Sequence, residues 1–320
     1  MKKFMFLALV LLLVSVIPAG QQAVAQDDEI NIIMVQHALC AWDSFWCVVE
    51  QGIQDAADQL GVNVTVLGPD SFDLDRVAAL IEEAVASQPD GLGVTVTDPV
   101  LFAEPINRAI DAGIPVVAYN AGNGPDVDGI PYMTYIGQDE YAGGYQGGLR
   151  LVAAGATRGV CVNHQVGHAA LDRRCQGFTD ALAENGLDAE VLGISNDPAE
   201  SQTIIDDYYA SNPDVDAFLT LGPNGANPFY AFLEAAGLGP GDVLHGTFDV
   251  SPEIVARIKD GTTLFGIDQQ PYLQGYMTVQ WLVWNVRFGF TPAGPVTATG
   301  PGFVDASNVE LVEELAGTYR

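Results

Sequence analysis

The feature that most limits what this chain can fold into is an alternation that runs almost from end to end. Short β-branched runs stop at polar or glycine-rich turns, and each is followed by a longer segment with helical apolar spacing. Candidate strands fall at Asn31 to Gln36, Val62 to Leu67, Gly91 to Thr95 and Pro115 to Tyr119. Helices are predicted between them at about Ser44 to Leu60, Asp73 to Ser87 and Val100 to Ala112. A second series places strands at Gly159 to Asn163, Ala189 to Gly193, Ala217 to Leu221 and Val243 to Phe248, again with helices between. The repeat, roughly 25 to 30 residues in both series, is that of successive strand–helix–strand units. Near-continuous apolar strands such as Ile114-Pro115-Val116-Val117-Ala118 require helices on both faces. The expected fold class is therefore α/β, with two doubly wound parallel sheets in tandem.

Ahead of the first strand, Lys2 and Lys3 precede an apolar run from Phe4 to about Pro18 and then Ala23-Val24-Ala25. That is the layout of a secretory signal peptide, with cleavage expected after Ala25. No cysteine follows that point directly, so no lipid anchor is expected there, and the chain is expected to be periplasmic or extracellular. The 41 acidic residues against 12 basic ones argue against nucleic acid or anionic lipid as partners, since both need clustered Lys or Arg. An acidic surface that keeps the protein soluble accounts for the imbalance. The four cysteines fit an oxidising compartment. Three connectivities are open to them. If Cys40 and Cys47 lie in one lobe and Cys161 and Cys175 in the other, crossed bonds would tie the lobes together, so the local pairings are favoured. A zinc site is not expected, because neither pair has close ligand spacing and His37, His164, His168 and His245 are scattered.

In open parallel sheets, ligands bind beyond the carboxyl ends of the strands. The residues there are uniform in kind. Trp42, Asp43, Ser44, Phe45 and Trp46 follow the first strand; Thr97 and Asp98 follow the third; Asn120 follows the fourth. In the second series His164, Asp197, the Gly222 to Asn227 loop and Asp249 occupy the same positions. Carboxylates and carboxamides bridge vicinal hydroxyls, and flat aromatic faces cover the C–H face of a ring, as a neutral sugar or polyol requires. No phosphate-binding loop is present, and the Gly143-Gly144, Gly147-Gly148 cluster falls in a predicted helix, as a close-packing face. Phe45 and Trp46 could both serve the core, yet adjacent helical positions point about 100° apart and cannot face the same core. Asp43 and Asp249 could cap helices, a role that does not exclude ligand contact.

The segment Trp42-Asp43-Ser44-Phe45-Trp46 with Val48-Val49 and Gly52 resembles the first strand-loop-helix of periplasmic sugar-binding proteins of the ribose-binding-protein type. Asp90-Gly91, Ala112-Gly113-Ile114-Pro115-Val116-Val117, Gly137-Gln138-Asp139-Glu140, Gly177-Phe178 and Thr247-Phe248-Asp249 resemble that family's landmarks in the same order. The resemblance implies Rossmann-like lobes joined by a hinge that the chain crosses three times, near Gly137, Gln269 and Val296 to Gly300. The expected division is 26–137 plus 270–297 for the N-terminal lobe and 138–269 plus 298–320 for the C-terminal lobe. By the same resemblance Asp43, Phe45 and Trp46 line the N-lobe side with the rings stacked on the sugar. Asn120 stands where the family carries an Asp, and Ala121 where it carries an Arg, which counts against ribose. Arg174, Asp249 and Gln269 match the family's C-lobe arginine, carboxylate and hinge glutamine; Asn224 stands in for an asparagine that aligns with Gly222. His164 and Asp98 complete the candidate ligand set. The implied function is the binding component of an ABC sugar importer. Its partners would be a small neutral sugar or polyol and a transmembrane permease, with no cofactor and a monomeric state.

Three other readings compete. A secreted sugar-acting enzyme lacks support, because no nucleophile elbow, metal-ligand spacing or dinucleotide fingerprint occurs. A sugar-responsive repressor would need a basic helix-turn-helix where the leader stands. A nucleoside or furanose signal in the same fold remains open, since aromatic stacking suits a base as well as a sugar.

Overall fold

A computed structural model describes residues 29–320, and the expected leader, 1–25, lies outside them. The first half of the chain lays down β1 (Asn31–Val35), α1 (Ser44–Leu60), β2 (Asn63–Leu67), α2 (Leu74–Ala86), β3 (Gly91–Val94), α3 (Pro99–Asp111), β4 (Val116–Tyr119), the short α4 (Pro125–Asp128) and β5 (Tyr135–Gln138). The second half continues with α5 (Glu140–Ala154), β6 (Arg158–Asn163), α6 (Ala169–Glu184), β7 (Asp188–Gly193), α7 (Pro198–Ser211), β8 (Ala217–Thr220), α8 (Pro223–Ala236), β9 (Leu244–Phe248), α9 (Pro252–Lys259) and β10 (Phe265–Asp268). The chain then returns with α10 (Pro271–Phe288), β11 (Val296–Gly300) and β12 (Gly302–Asp305).

These strands form two six-stranded sheets, ordered β11-β5-β4-β3-β1-β2 and β12-β10-β9-β8-β6-β7. Every neighbouring pair is parallel except β10 with β12. The chain passes between sheets after β5, after β10 and after β11. The strands the chain leaves at these passages, β5, β10 and β11, are each first or second in their sheet, so all three crossings start along one edge of the molecule. The opposite edges, β2 and β7, carry none.

Local chemistry explains why the helices begin where they do. Asp43, Asp73, Asp98, Asp139 and Asp197 cap α1, α2, α3, α5 and α7, each accepting a backbone N–H of the first turn. Each sheet has an apolar layer on both faces, as parallel strands need. In the N-lobe, Val77, Ile81, Phe102 and Ile106 cover one face, and Trp46, Ile53, Val279 and Leu282 the other. In the C-lobe, Phe218, Phe229 and Ile254 belong to one layer and Phe178, Leu182 and Phe248 to the other.

Both lobes use glycine to bring a helix pair into backbone contact. A Cβ at Gly144 would collide with the Arg174 carbonyl, and one at Gly177 with that of Tyr141. The predicted close-packing face of α5 therefore meets α6. In the N-lobe, Gly52 and Gly275 do the same for α1 and α10. The two disulfides are Cys40–Cys47 and Cys161–Cys175, the local pairings. Each ties the first strand region of its lobe to the helix that follows it.

Candidate functional site

The carboxyl ends of the two sheets face one another across a gap of about 350 Å³, counting the open space at its mouth. From the N-lobe, α1 delivers Asp43, Phe45 and Trp46 to the gap, and the loop after β4 delivers Asn120. Asp43 is the α1 cap, accepting the Phe45 N–H at 3.1 Å. Burial pushes its carboxyl up to about 6, opposed by that N–H. Trp46 is 1% exposed and meets His37, Phe45 and Tyr119 edge to face, with centroids at 4.9, 5.4 and 6.4 Å. It belongs to the lobe core as well as to the wall, while Phe45 is half-buried and keeps accessible surface.

From the C-lobe come Arg174 on α6, His164 after β6, Asn224 in the first turn of α8, and Asp249 after β9. Arg174 is buried and held at both ends of its fork. Its Nε donates to Glu140 Oε2 at 2.6 Å, Nη2 to Glu140 Oε1 at 3.2 Å, and Nη1 to the Leu221 carbonyl at 3.0 Å. Its guanidinium also lies over the Phe248 ring. Burial alone would neutralise both partners; Arg174 opposes this at Glu140, and Glu140 outweighs it at Arg174. Gln138 donates a further bond to Glu140 at 2.8 Å. Burial raises Asp249 to about 7, with Asp43 and Glu140 adding to the shift and Arg174 and Gln269 opposing it.

Asn120 and Asp249 are equivalent in position. Each follows the third strand from the crossing edge of its sheet, and each adopts the left-handed conformation, with φ of 61° and 68°. Asn and Asp are the side-chain-bearing residues that tolerate this region best, and such conformations concentrate at functional positions. Gln269, on the second crossing, joins them. Asn120 donates to Gln269 Oε1 at 3.3 Å, and Gln269 Nε2 donates to Asp249 Oδ1 at 2.6 Å. Gln274, at the start of α10, accepts from Asn120 at 3.1 Å and supports the same relay. A chain of amides thus spans the two lobes on the hinge side of the gap.

Of the residues proposed from sequence, the structure brings together Asp43, Phe45, Trp46, Asn120, His164, Arg174, Asn224, Asp249 and Gln269. Asp98 does not join them. It caps α3, its Oδ1 accepting the Val100 and Leu101 N–H groups at 2.9 Å; the cap absorbs the carboxylate and holds it away from the gap. Asp197 is likewise a cap, and Trp42 turns outward to donate to the Pro69 carbonyl. Sequence reasoning did not select His37, Gln165, His168 and Leu171, which also line the gap. His37 lies two residues beyond β1, so the strand-end rule contained the signal for it. Glu140, seen in the sequence only as part of a landmark, is the residue that fixes Arg174. His164 Nδ1 and Gln165 Nε2 are buried in this wall without a protein partner among the described residues. Buried polar atoms of this kind are normally satisfied, so they favour a polar guest. Among the described residues no cluster of three or more His, Cys, Asp or Glu side chains is arranged to hold a metal ion.

Comparison with known proteins adds a family and several structural relatives. The profile of the periplasmic binding protein domain matches residues 40–287. The xylose/arabinose-binding protein XylF of Sulfolobus acidocaldarius is 29% identical over 294 residues, covering 88% of this chain and 72% of that protein. Among solved structures, a carbohydrate transporter from Acidothermus cellulolyticus, in complex with myo-inositol, is 33% identical with a TM-score of 0.82; the match covers 90% of this chain and 98% of the other. A periplasmic sugar binding protein of an ABC sugar transporter from Legionella pneumophila is 25% identical with a TM-score of 0.79, covering 85% of this chain and 100% of its own.

Proposed function

The chain belongs to the family of periplasmic binding protein domains, and from that premise we propose that it captures one neutral monosaccharide or cyclic polyol for an ABC importer. The observation that carries the reading is the composition of the wall where the two sheets converge. Arg174 is already neutralised by Glu140, which leaves Asp43 and Asp249 as the uncompensated charges. An anionic guest would add like charge in a desolvated space, whereas hydroxyls can donate to both carboxylates in charge-assisted bonds. Phe45 offers the apolar surface that a ring's C–H face needs. The relatives support the same class: one is named for pentoses, and another was solved with myo-inositol.

Closure follows from where these groups sit. Contacts from Asp43, Phe45 and Asn120 on one lobe and from Arg174 and Asp249 on the other act on a guest together only when the lobes are shut. Binding therefore shifts the open–closed population by that differential affinity. The closed form is what the permease would read, outside the cytoplasmic membrane. Hydroxyl donation favours the ionised carboxylates, so capture near pH 6 should release protons. Ala121, in place of the family's arginine, makes ribose a weak guest.

Calorimetry with myo-inositol, xylose, arabinose, ribose and a set of hexoses tests the proposal. The expected result is micromolar or tighter binding of at least one of them, roughly 8 kcal/mol or more, with heats that depend on the buffer's ionisation enthalpy. No binding across the panel at millimolar concentration would defeat it.

A further inference from the structure

We infer that His37 and His168 form a latch between the lobes, on the side of the gap away from the hinge, that holds the cleft shut only while both rings are uncharged. Their carrier strands, β1 and β6, are each the fifth from the crossing edge of their sheet, so the contact lies far from the axis about which the lobes would part. The two Nε2 atoms are 3.1 Å apart, and the rings meet nearly perpendicular, with centroids at 4.5 Å. Both side chains are buried.

The neighbours of the two rings dictate where each proton sits. His168 Nδ1 accepts the Ala170 N–H at 3.2 Å, so a neutral His168 carries its proton on Nε2 and donates it to His37 Nε2. His37 then carries its own proton on Nδ1, 3.1 Å from Thr95 Oγ1. One proton per ring satisfies the whole chain. A second proton on His37 would set N–H against N–H across the lobes; a second on His168 would face the Ala170 N–H. Two further contacts share the spot: the Ala169 N–H donates to the Thr97 carbonyl at 3.0 Å, and Phe72 stacks on His168 at 5.8 Å.

The charged surroundings act in the same direction. Arg174 and His164, which share the C-lobe wall with His168 and face His37 across the gap, disfavour positive charge on both rings, and Asp172, farther along α6, is engaged by Asn163. Burial, with those neighbours, lowers His37 to about 3 and holds His168 well below its ordinary value. In an opened cleft both rings return toward roughly 6.5. Closure driven by the pair is thus complete above about pH 6.5 and is lost progressively as the pH falls below it. Asp43 and Asp249, raised on burial, act with the opposite sign, so the histidine contribution is read as a difference between variants.

The latch presumes the two-lobed capture proposed above, and its first test needs no ligand. Small-angle scattering of the full chain should show a compact form at pH 7.5 that expands between about pH 6.5 and 5. The double variant His37→Gln/His168→Gln should lose that expansion. Identical pH responses in the two proteins, or no compact form at pH 7.5, would overturn the latch. With myo-inositol as the probe, the ratio of affinities at pH 7.5 and 5.5 should be at least tenfold larger for the unaltered protein than for the double variant, since each ring contributes up to about tenfold per pH unit. Parallel profiles would also overturn it. If neither myo-inositol nor any sugar binds, the capture reading fails, while scattering still judges the latch. Should the double variant not fold, Ala169→Pro serves instead. Position 169 opens α6, where proline fits, and the φ and ψ of His168 (−78° and 111°) accept a following proline. That change removes only the N–H that reaches Thr97, and it should weaken myo-inositol binding by roughly fivefold, the worth of one hydrogen bond, and shift scattering toward the open form; no shift would count against the latch.

Discussion

In the N-lobe wall, Asp43 is held by a single backbone N–H and Trp46 by its packing against three rings. In the C-lobe wall, Arg174 is held by three hydrogen bonds to two partners, and Asp249 by Gln269. The halves share a plan: a left-handed Asn or Asp after the strand third from the crossing edge, a glycine-mediated helix pair, and a short-range disulfide. They differ in what fixes the side chains. One wall is set by apolar packing, the other by a buried ionic network, so cover and polar recognition are divided between the lobes.

The largest test of that division is to remove one member of the ionic network. Arg174→Ala leaves Glu140 buried without its partner and should lower unfolding stability by about 3–5 kcal/mol in urea titration; a loss under 1 kcal/mol would mean that the C-lobe wall is not held this way. The disulfides come next. Replacing Cys161 and Cys175 by Ala should cost about 3 kcal/mol, and replacing Cys40 and Cys47 slightly less, because loops of separation 14 and 7 differ little in closure entropy. Cys40 and Cys47 are partly exposed while Cys161 and Cys175 are buried, so limited reductant should open the N-lobe bond first, as read by mass spectrometry of alkylated thiols. Asp249 gives a smaller, pH-dependent effect. Its folded value of about 7 exceeds the unfolded one, so its contribution is fully present near pH 4 and is lost as pH rises through 7, by up to about 1.4 kcal/mol per unit. Denaturation curves of Asp249→Asn should lack that slope. The smallest effect sharpens the boundary of the site: Asp98→Ala should cost about 1 kcal/mol of stability as a lost cap and leave ligand affinity unchanged.

Most of the sheet was legible because its strands are β-branched runs with clear stops. β5, β10, β11 and β12 were not predicted as strands; Tyr135–Gln138 and Phe265–Asp268 are four residues long and contain glycine, so they carry little strand signal of their own. Their pairing is imposed by the sheet they join. Most of the candidate site was legible from one rule, that strand ends converge. The rule could not separate Asp43, which caps a helix and faces the gap, from Asp98, which only caps. That distinction depends on the direction the helix takes after the cap. It also missed Glu140 and His168, whose importance arises from Arg174 and His37, residues distant in sequence.

The return of the chain to the first sheet has a consequence for the order in which the protein can be made. β11 closes the β5 edge, and α10 packs against α1, β3 and β4, yet both follow β6 to β10 of the C-lobe in sequence. Until residues 271–300 have been synthesised, the apolar face around Trp46 and Tyr119 has only α1 of its two covering helices and β5 has an open edge. The C-lobe sheet, lacking only β12, can assemble while the earlier-made half waits, so maturation of the amino-terminal half is timed by a segment that emerges after β10.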